Sequence, residues 1–296
     1  MKIGIPRSFV YYYYKDFWIN FFEYLNIDIV LSPETNKEIF YLGIKYSQDE
    51  MCLSIKNYIG HVAYLKDKCD YILIPRIDNY GRLEQTCTNF LAIYDIINNL
   101  FDVKILNYNI NYLNNETEEE IINICNTLNI SKIKAHKAFK YASEKSKKIK
   151  ENNISINKNK LKSNKIKVLI VGHSYNIYDK LIGNPIIKIL NNYNVELIYS
   201  DLFDGNDESS NYCSNLYWKY SKENVSGISK CIDNIDGIIF ISTFPCGLDS
   251  IVNEIVLRKL SKPYLNIIID DITISGGIET RIESFIDILN QKCDIK

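Results

Sequence analysis

DGIIFISTFPCGLDSIVNEIVLRKL, residues 236–260, decides how the rest of the chain is read. DGIIFIST is an apolar run of strand length, and LDSIVNEIVLRKL carries apolar residues at helical spacing. Between them lies a tight turn with Pro245 and Cys246, followed by Gly247 and by Asp249 and Ser250 at the head of the helix. A strand that is apolar throughout and runs straight into a helix is the unit of a parallel sheet covered on both faces. Ligands in such sheets sit outside the carboxyl ends of the strands. A structural cysteine would lie within the strand or on the helix's apolar face, so Cys246 stands where α/β proteins hold ligands.

The same alternation extends in both directions. MKIGIP, NIDIVLS, DYILIPRI and VKILNYNI read as strands, with YKDFWINFFEYL, the stretch from NKEIF to YLKDK and NFLAIYDIINNLF as helices among them. Ser32 and Pro33 are expected to open the helical stretch after the second strand. A second series follows, with strands IKVLIVGHS, VELIYSD, DGIIFIST and KPYLNIIIDD and helices among and after them, one of which, NYCSNLYWKYSKENVSGISKCIDNI, is expected to break near Gly227. The fold class is therefore α/β, with two doubly wound, Rossmann-like parallel-sheet domains, 1–112 and 164–296. Residues 113–163 join them as an acidic-headed helix, a long Lys-rich amphipathic helix and a polar Asn/Lys-rich linker.

Composition excludes several classes. The chain has 296 residues, a net charge of −1 and a hydrophobic fraction of 46%, so nothing in its charge asks for nucleic acid. No apolar run is long enough to span a bilayer. MKIGIPRSFVYYYYKDF has too short an apolar part for a signal peptide, and a cytoplasmic location with reduced thiols is expected. The eight cysteines include no CxxC, and the three histidines make a multi-His zinc site unexpected. There is no GxxxxGK[ST] phosphate loop, no GxGxxG after the first strand and no HExxH.

Polar residues gather after the strands. They are Pro6 and Arg7; Arg76 with Cys87 in the loop beyond; His173, Ser174, Tyr175 and Asn176; Pro245 and Cys246; and Asp270, Asp271, Thr273, Gly276 and Gly277. The pattern points to a site between the two domains. At a helix start Cys246 is favoured as thiolate. As a nucleophile it has His173 and His61 as available bases; as a metal ligand it has Cys87 and Cys52 as partners. Asp249 and Ser250 serve the site or cap the helix. Arg7 and Arg76 bind an anionic ligand or pair with carboxylates. Cys69, Cys125, Cys231 and Cys293 read as core or surface thiols, Cys213 stays unassigned, and His136 reads as solvent-facing.

MKIGIPR, LSPETNKEI, DEMCLSIKNYIGHV and DYILIPRI with Cys87 downstream resemble the N-terminal part of the 2-hydroxyacyl-CoA dehydratase-related (acyl-CoA dehydratase activase-related) proteins. GHSYNIYD, IGNPIIKIL, FPCGLDSIVNEI and TRIESFIDIL resemble the C-terminal part of that family, in the same order. The resemblance implies an oxygen-sensitive iron–sulfur protein, related to 2-hydroxyglutaryl-CoA dehydratase D-components and to double-cubane cluster proteins. It implies Cys52, Cys87 and Cys246 as ligands of a 4Fe–4S cluster, with one iron left open and a double-cubane as an alternative. It further implies an ATP-dependent activator as partner, an acyl-CoA substrate and a dimer. The chain departs from the family pattern at IDDITISGG, where Ile272 and Ile274 replace polar groups, and at CTNF, which lacks the usual Pro and Lys. These departures bear on substrate chemistry more than on cluster binding.

Three readings result. The first is a low-potential electron-transfer or reductive component; the second is the catalytic subunit of a 2-hydroxyacyl-CoA dehydratase. The third is a cluster-free module that binds a small anion through Arg7 and Arg76.

Overall fold

The computed structural model describes residues 1–114, 117–271 and 277–294. Thr273, Gly276, Ile272 and Ile274 lie outside the described residues, as does the side chain of Cys293. The chain forms two compact units: Met1–Glu151 with Tyr217–Lys219, and Asn152–Leu216 with Tyr220–Lys296.

The first unit opens with β1 (Lys2–Ile5), α1 (Tyr11–Leu25), β2 (Asp28–Leu31), α2 (Lys37–Tyr46) and α3 (Leu53–Leu65). It continues with β3 (Tyr71–Asn79), α4 (Thr88–Leu100), β4 (Ile105–Asn111), α5 (Thr117–Thr127) and α6 (Lys132–Lys160), whose residues from Asn152 onward belong to the second unit. Its four strands are all parallel, in the order β2-β1-β3-β4. Trp18, Phe21, Phe22 and Leu25 form the buried face of α1, at the helical spacing seen in the sequence. Each such large side chain taken out of water stabilises the fold by about 1.5–3 kcal/mol.

Two glycines set the approach of α2 to α3. A Cβ on Gly43 would stand 2.2 Å from the Lys56 carbonyl oxygen, and one on Gly60 would stand 2.1 Å from that of Ile39. Only hydrogen at these positions lets the helices touch backbone to backbone. The expected start of the α2 region at Ser32 and Pro33 moves to Asn36, whose side-chain oxygen accepts the Ile39 N–H at 3.0 Å. The Ser32 hydroxyl is engaged elsewhere, accepting the Arg7 N–H at 2.8 Å and meeting His61 Nδ1 at 2.8 Å.

The second unit contains β5 (Ile166–Val171), α7 (Ser174–Ile177), α8 (Gly183–Leu190), β6 (Val195–Tyr199) and α9 (Lys219–Cys231), the last beginning in the first unit's Lys219. It ends with β7 (Gly237–Thr243), α10 (Gly247–Leu257), β8 (Tyr264–Ile269) and α11 (Ile278–Asp294). This sheet is also parallel, in the order β6-β5-β7-β8. All seven residues of β7 are buried, as its unbroken apolar pattern requires of an inner strand. The two parallel four-strand sheets with their helices are the doubly wound, Rossmann-like domains read from the sequence.

Two local readings are corrected. The polar stretch after Asn153, expected as a linker, continues α6 to Lys160. It is held there by buried Ile154 and by Asn157, whose amide donates to the carbonyls of Tyr199 and Leu202, both at 3.0 Å, and accepts the Tyr199 N–H at 2.9 Å. The expected break at Gly227 is absent: α9 passes through it. The missing side chain instead admits the Ser200 carbonyl oxygen, 2.0 Å from where a Cβ would stand.

Candidate functional site

Cys52, Cys87 and Cys246 share one backbone position. Each is the residue immediately before a helix, α3, α4 and α10 respectively, with extended dihedrals (φ/ψ −65/149, −69/156 and −86/101). Ser, Thr, Asp and Asn are the usual residues there because their oxygens cap the first N–H groups. A thiol is a poor substitute as a cap, so its recurrence at three helix starts asks for another explanation. The N-terminal N–H groups and the helix dipole favour the thiolate form, the form that is a nucleophile or soft-metal ligand. Cys246 Sγ accepts the Asp249 N–H at 3.5 Å.

In the first unit, two of these positions are linked. Asn89, two residues into α4 from Cys87, donates its side-chain amide to Cys52 Sγ at 3.8 Å. The loop leading to Cys87 is held on both sides. Thr86 Oγ1 donates to the Ile77 carbonyl at 2.8 Å, the Gln85 N–H donates to the Tyr217 carbonyl at 2.7 Å, and the Lys219 N–H donates to the Gln85 carbonyl at 2.9 Å. Tyr217–Lys219 thus lie against Gln85 as a short strap that groups with the first unit. The Lys219 ammonium meets Glu84 Oε2 at 3.5 Å and lies 5.0 Å from the Tyr80 ring centre.

In the second unit, His173 precedes α7 at the end of β5, the strand beside β7. Its Nε2 lies 3.0 Å from Asp249 Oδ1 with both side chains nearly buried, and its ring stacks on Tyr175 with centres 4.8 Å apart. Ser174 Oγ donates to Asp201 Oδ2 at 2.6 Å, and Ser250 Oγ donates to the Cys246 carbonyl at 2.7 Å. β5 and β7 flank the point where the strand order turns back, the usual position for ligands in such sheets. An Asp that fixes one ring nitrogen of a His sets its tautomer and orientation.

The remaining sequence candidates have structural partners. Arg7 Nη2 meets Glu34 Oε1 at 3.2 Å. Arg76 Nη2 meets Asp95 Oδ1 at 2.6 Å, and its guanidinium lies 4.7 Å from the Tyr94 ring centre. His61 is fully buried between Ser32 at 2.8 Å and Thr35 Oγ1 at 3.0 Å. Burial, with the nearby Arg7 charge, pushes its pKa down to about 3, so it is neutral. Burial raises three further thiols: Cys69 upward, Cys125 to about 11 and Cys231 to about 12. Cys231 Sγ donates to the Gly227 carbonyl at 3.1 Å. Cys213 is buried, and His136, exposed, meets Glu118 Oε1 at 3.3 Å.

Asn89 and Asp201 were not among the candidates. Asp201 follows the end of β6 and Ser32 the end of β2, so applying the strand-end rule to every strand finds both. Asn89 has a weaker signal, its position two residues beyond Cys87. Among the described residues, no group of three or more His, Cys, Asp or Glu side chains is gathered as a metal site. No helix among them is long and apolar enough to cross a membrane.

The fold and the residues at its strand ends define a two-unit doubly wound α/β protein with thiols at helix starts. Residues 2–203 match the family model described as CoA enzyme activase uncharacterised domain (DUF2229), and the chain belongs to that family. No curated protein matches it.

Proposed function

We propose that this protein is a cytoplasmic iron–sulfur component of a CoA-enzyme system, with Cys52, Cys87 and Cys246 as cluster ligands. It takes electrons from a separate ATP-dependent activator and delivers them to an acyl-CoA enzyme or substrate. The observation that carries this reading is the common helix-start position of these three cysteines, two of them linked through Asn89 within one unit. The donor chemistry fits, since thiolates are the ligands of 4Fe–4S clusters and helix N-termini favour thiolates. The family's description, which links it to activation of CoA enzymes, supports the system. When bound, such a cluster supplies one-electron chemistry at low potential. The chain's own part is to hold thiolates and to supply N–H groups to their sulfurs, as Asp249 does for Cys246.

A second reading, a dehydratase catalytic subunit, draws on the buried pair of His173 with Asp249, the latter three residues after Cys246. That pair can hold a proton at a defined ring nitrogen. The anion-module reading has less support, because Arg7 and Arg76 each already face a carboxylate.

The test is the iron and acid-labile sulfide content of protein purified without oxygen. About four of each per chain are expected for one 4Fe–4S cluster. Cys52→Ala, Cys87→Ala and Cys246→Ala should lower the content, and Cys125→Ala should not. Equal content in all four variants, or colourless protein that also resists cluster reconstitution, overturns the reading.

A further inference from the structure

β8 is the outermost strand of the second unit's sheet, and its ladder to β7 runs without a shift of register. The Ile238 N–H donates to the Pro263 carbonyl at 3.0 Å and the Phe244 N–H to the Ile269 carbonyl at 2.8 Å. Odd-numbered residues of β8 therefore turn their backbone groups toward β7, and those of Tyr264, Asn266 and Ile268 face outward. Arg281 agrees with this direction, since its Nη2 reaches the Asn266 carbonyl from outside the ladder at 2.6 Å. The remaining outward N–H and C=O groups of these three residues have no partner among the described residues.

The side chains along this edge are apolar and open. Tyr264 is 47% exposed and Ile268 48%. Both lie on the face of their register partners Ile238 and Ser242. That face is turned away from α11, because a Cβ on the adjacent Gly237 would meet Phe285 and Leu289. The strand, YLNIII, carries no charge, no proline and no bulge. Native proteins blunt an open edge with those devices, and an apolar edge that lacks them is a template for another strand.

We propose that the occupant of this edge is β8 of a second copy of this chain, paired antiparallel about a two-fold axis at Asn266, so that two four-strand sheets join into one of eight. The sequence around Asn266 is self-complementary in that register. Tyr264 falls opposite the partner's Ile268, and Ile268 opposite the partner's Tyr264, an aromatic–β-branched pair of the kind that stabilises antiparallel ladders. Farther out, Lys262 falls opposite the partner's Asp270 at each end, so opposite charges meet. The Lys262 ammonium donates one proton to the Ile235 carbonyl at 2.8 Å and has two more to give. A shift of two residues in either direction loses both charge pairs. In the symmetric register every outward N–H and C=O of Tyr264, Asn266 and Ile268 gains a partner, and the Asn266 carbonyl has a second lone pair for Arg281. The edge belongs to β8 and its test needs no iron, so it stands or falls separately from the iron–sulfur reading.

The test is sedimentation velocity of the full chain over a wide range of concentration, where a species of twice the 34.5 kDa chain mass is expected. Asn266→Pro removes the central outward N–H and puts a ring in its place, a change that an edge strand tolerates. The side-chain oxygen lost with it has no hydrogen-bond partner. This variant should be monomeric, with an unchanged circular dichroism spectrum. Lys262→Glu and Asp270→Lys should each weaken the dimer about tenfold by setting like charges face to face. Mixing the two variants should restore it, because the mixed pair again has opposite charges at both ends. A monomer at every concentration overturns the proposal, as does a dimer undiminished in Asn266→Pro and in both charge reversals. A mixture no tighter than the separate variants overturns the register. Should Asn266→Pro fail to fold, the two reversals and their mixture decide.

Discussion

His61 makes the first unit's stability depend on pH in a calculable way. In the unfolded chain its imidazole takes up a proton as pH falls through about 6.5. In the folded chain, buried between Ser32 and Thr35, it does so only near 3. Between those values the unfolded state binds more protons, so stability is full above the upper value and is lost as pH falls toward the lower. The loss is about 2 kcal/mol between pH 7 and 5, and about 4 kcal/mol by pH 3. With a urea slope of about 2 kcal/mol/M, the first figure lowers the midpoint by about 1 M. Both tryptophans, Trp18 and Trp218, belong to the first unit, so their fluorescence follows its unfolding. Carboxylates add their own slope, and His61→Gln isolates the histidine's share. The variant is less stable at pH 7, and its midpoint should fall by about 1 M less than that of the parent between pH 7 and 5. Parallel midpoint-versus-pH curves for parent and variant would refute the argument that His61 is held neutral.

Gly60→Ala should destabilise the first unit by several kcal/mol or prevent its folding, because the added methyl meets the Ile39 carbonyl; tryptophan fluorescence in urea measures it. Asn157→Ala removes three hydrogen bonds to Tyr199 and Leu202 and should cost about 2–3 kcal/mol, read by circular dichroism on heating. Cys125 and Cys231, with pKa values near 11 and 12, should resist a thiol reagent at pH 8 in the native state and label on unfolding. Mass mapping that finds either labelled at the rate of an exposed thiol contradicts their placement.

What the sequence made legible is whatever depends on a residue's near neighbours along the chain. β7 was readable because an inner strand of a parallel sheet is apolar on both faces, and DGIIFIST is. The positions of Cys246 and His173 at strand ends were readable for the same reason. The errors fall where a distant partner decides. Asn157 sits in a run that looks like linker until the backbone of Tyr199 and Leu202 supplies its bonds. Gly227 looks like a helix breaker until Ser200 occupies the space it leaves. Asn89 gains meaning only once α3 brings Cys52 to it. His61 looked like an available base, and nothing local in DEMCLSIKNYIGHV reveals that Ser32 and Thr35 hold both its nitrogens.

The strap at Tyr217–Lys219 carries a consequence for how the protein is made. The first unit takes its last three residues from beyond most of the second unit's first half. On the ribosome, residues up to Glu151 emerge first, yet the backbone partners of Gln85 arrive only with Tyr217 and Lys219. At about 5–20 residues per second, that leaves several seconds in which the loop bearing Cys87 lacks one of its two anchors. A nascent chain would present the Cys87 thiol on a looser loop during that interval, and the loop would tighten when the strap arrives. The order of synthesis therefore gives a window in which this cysteine can be reached and another in which it is fixed.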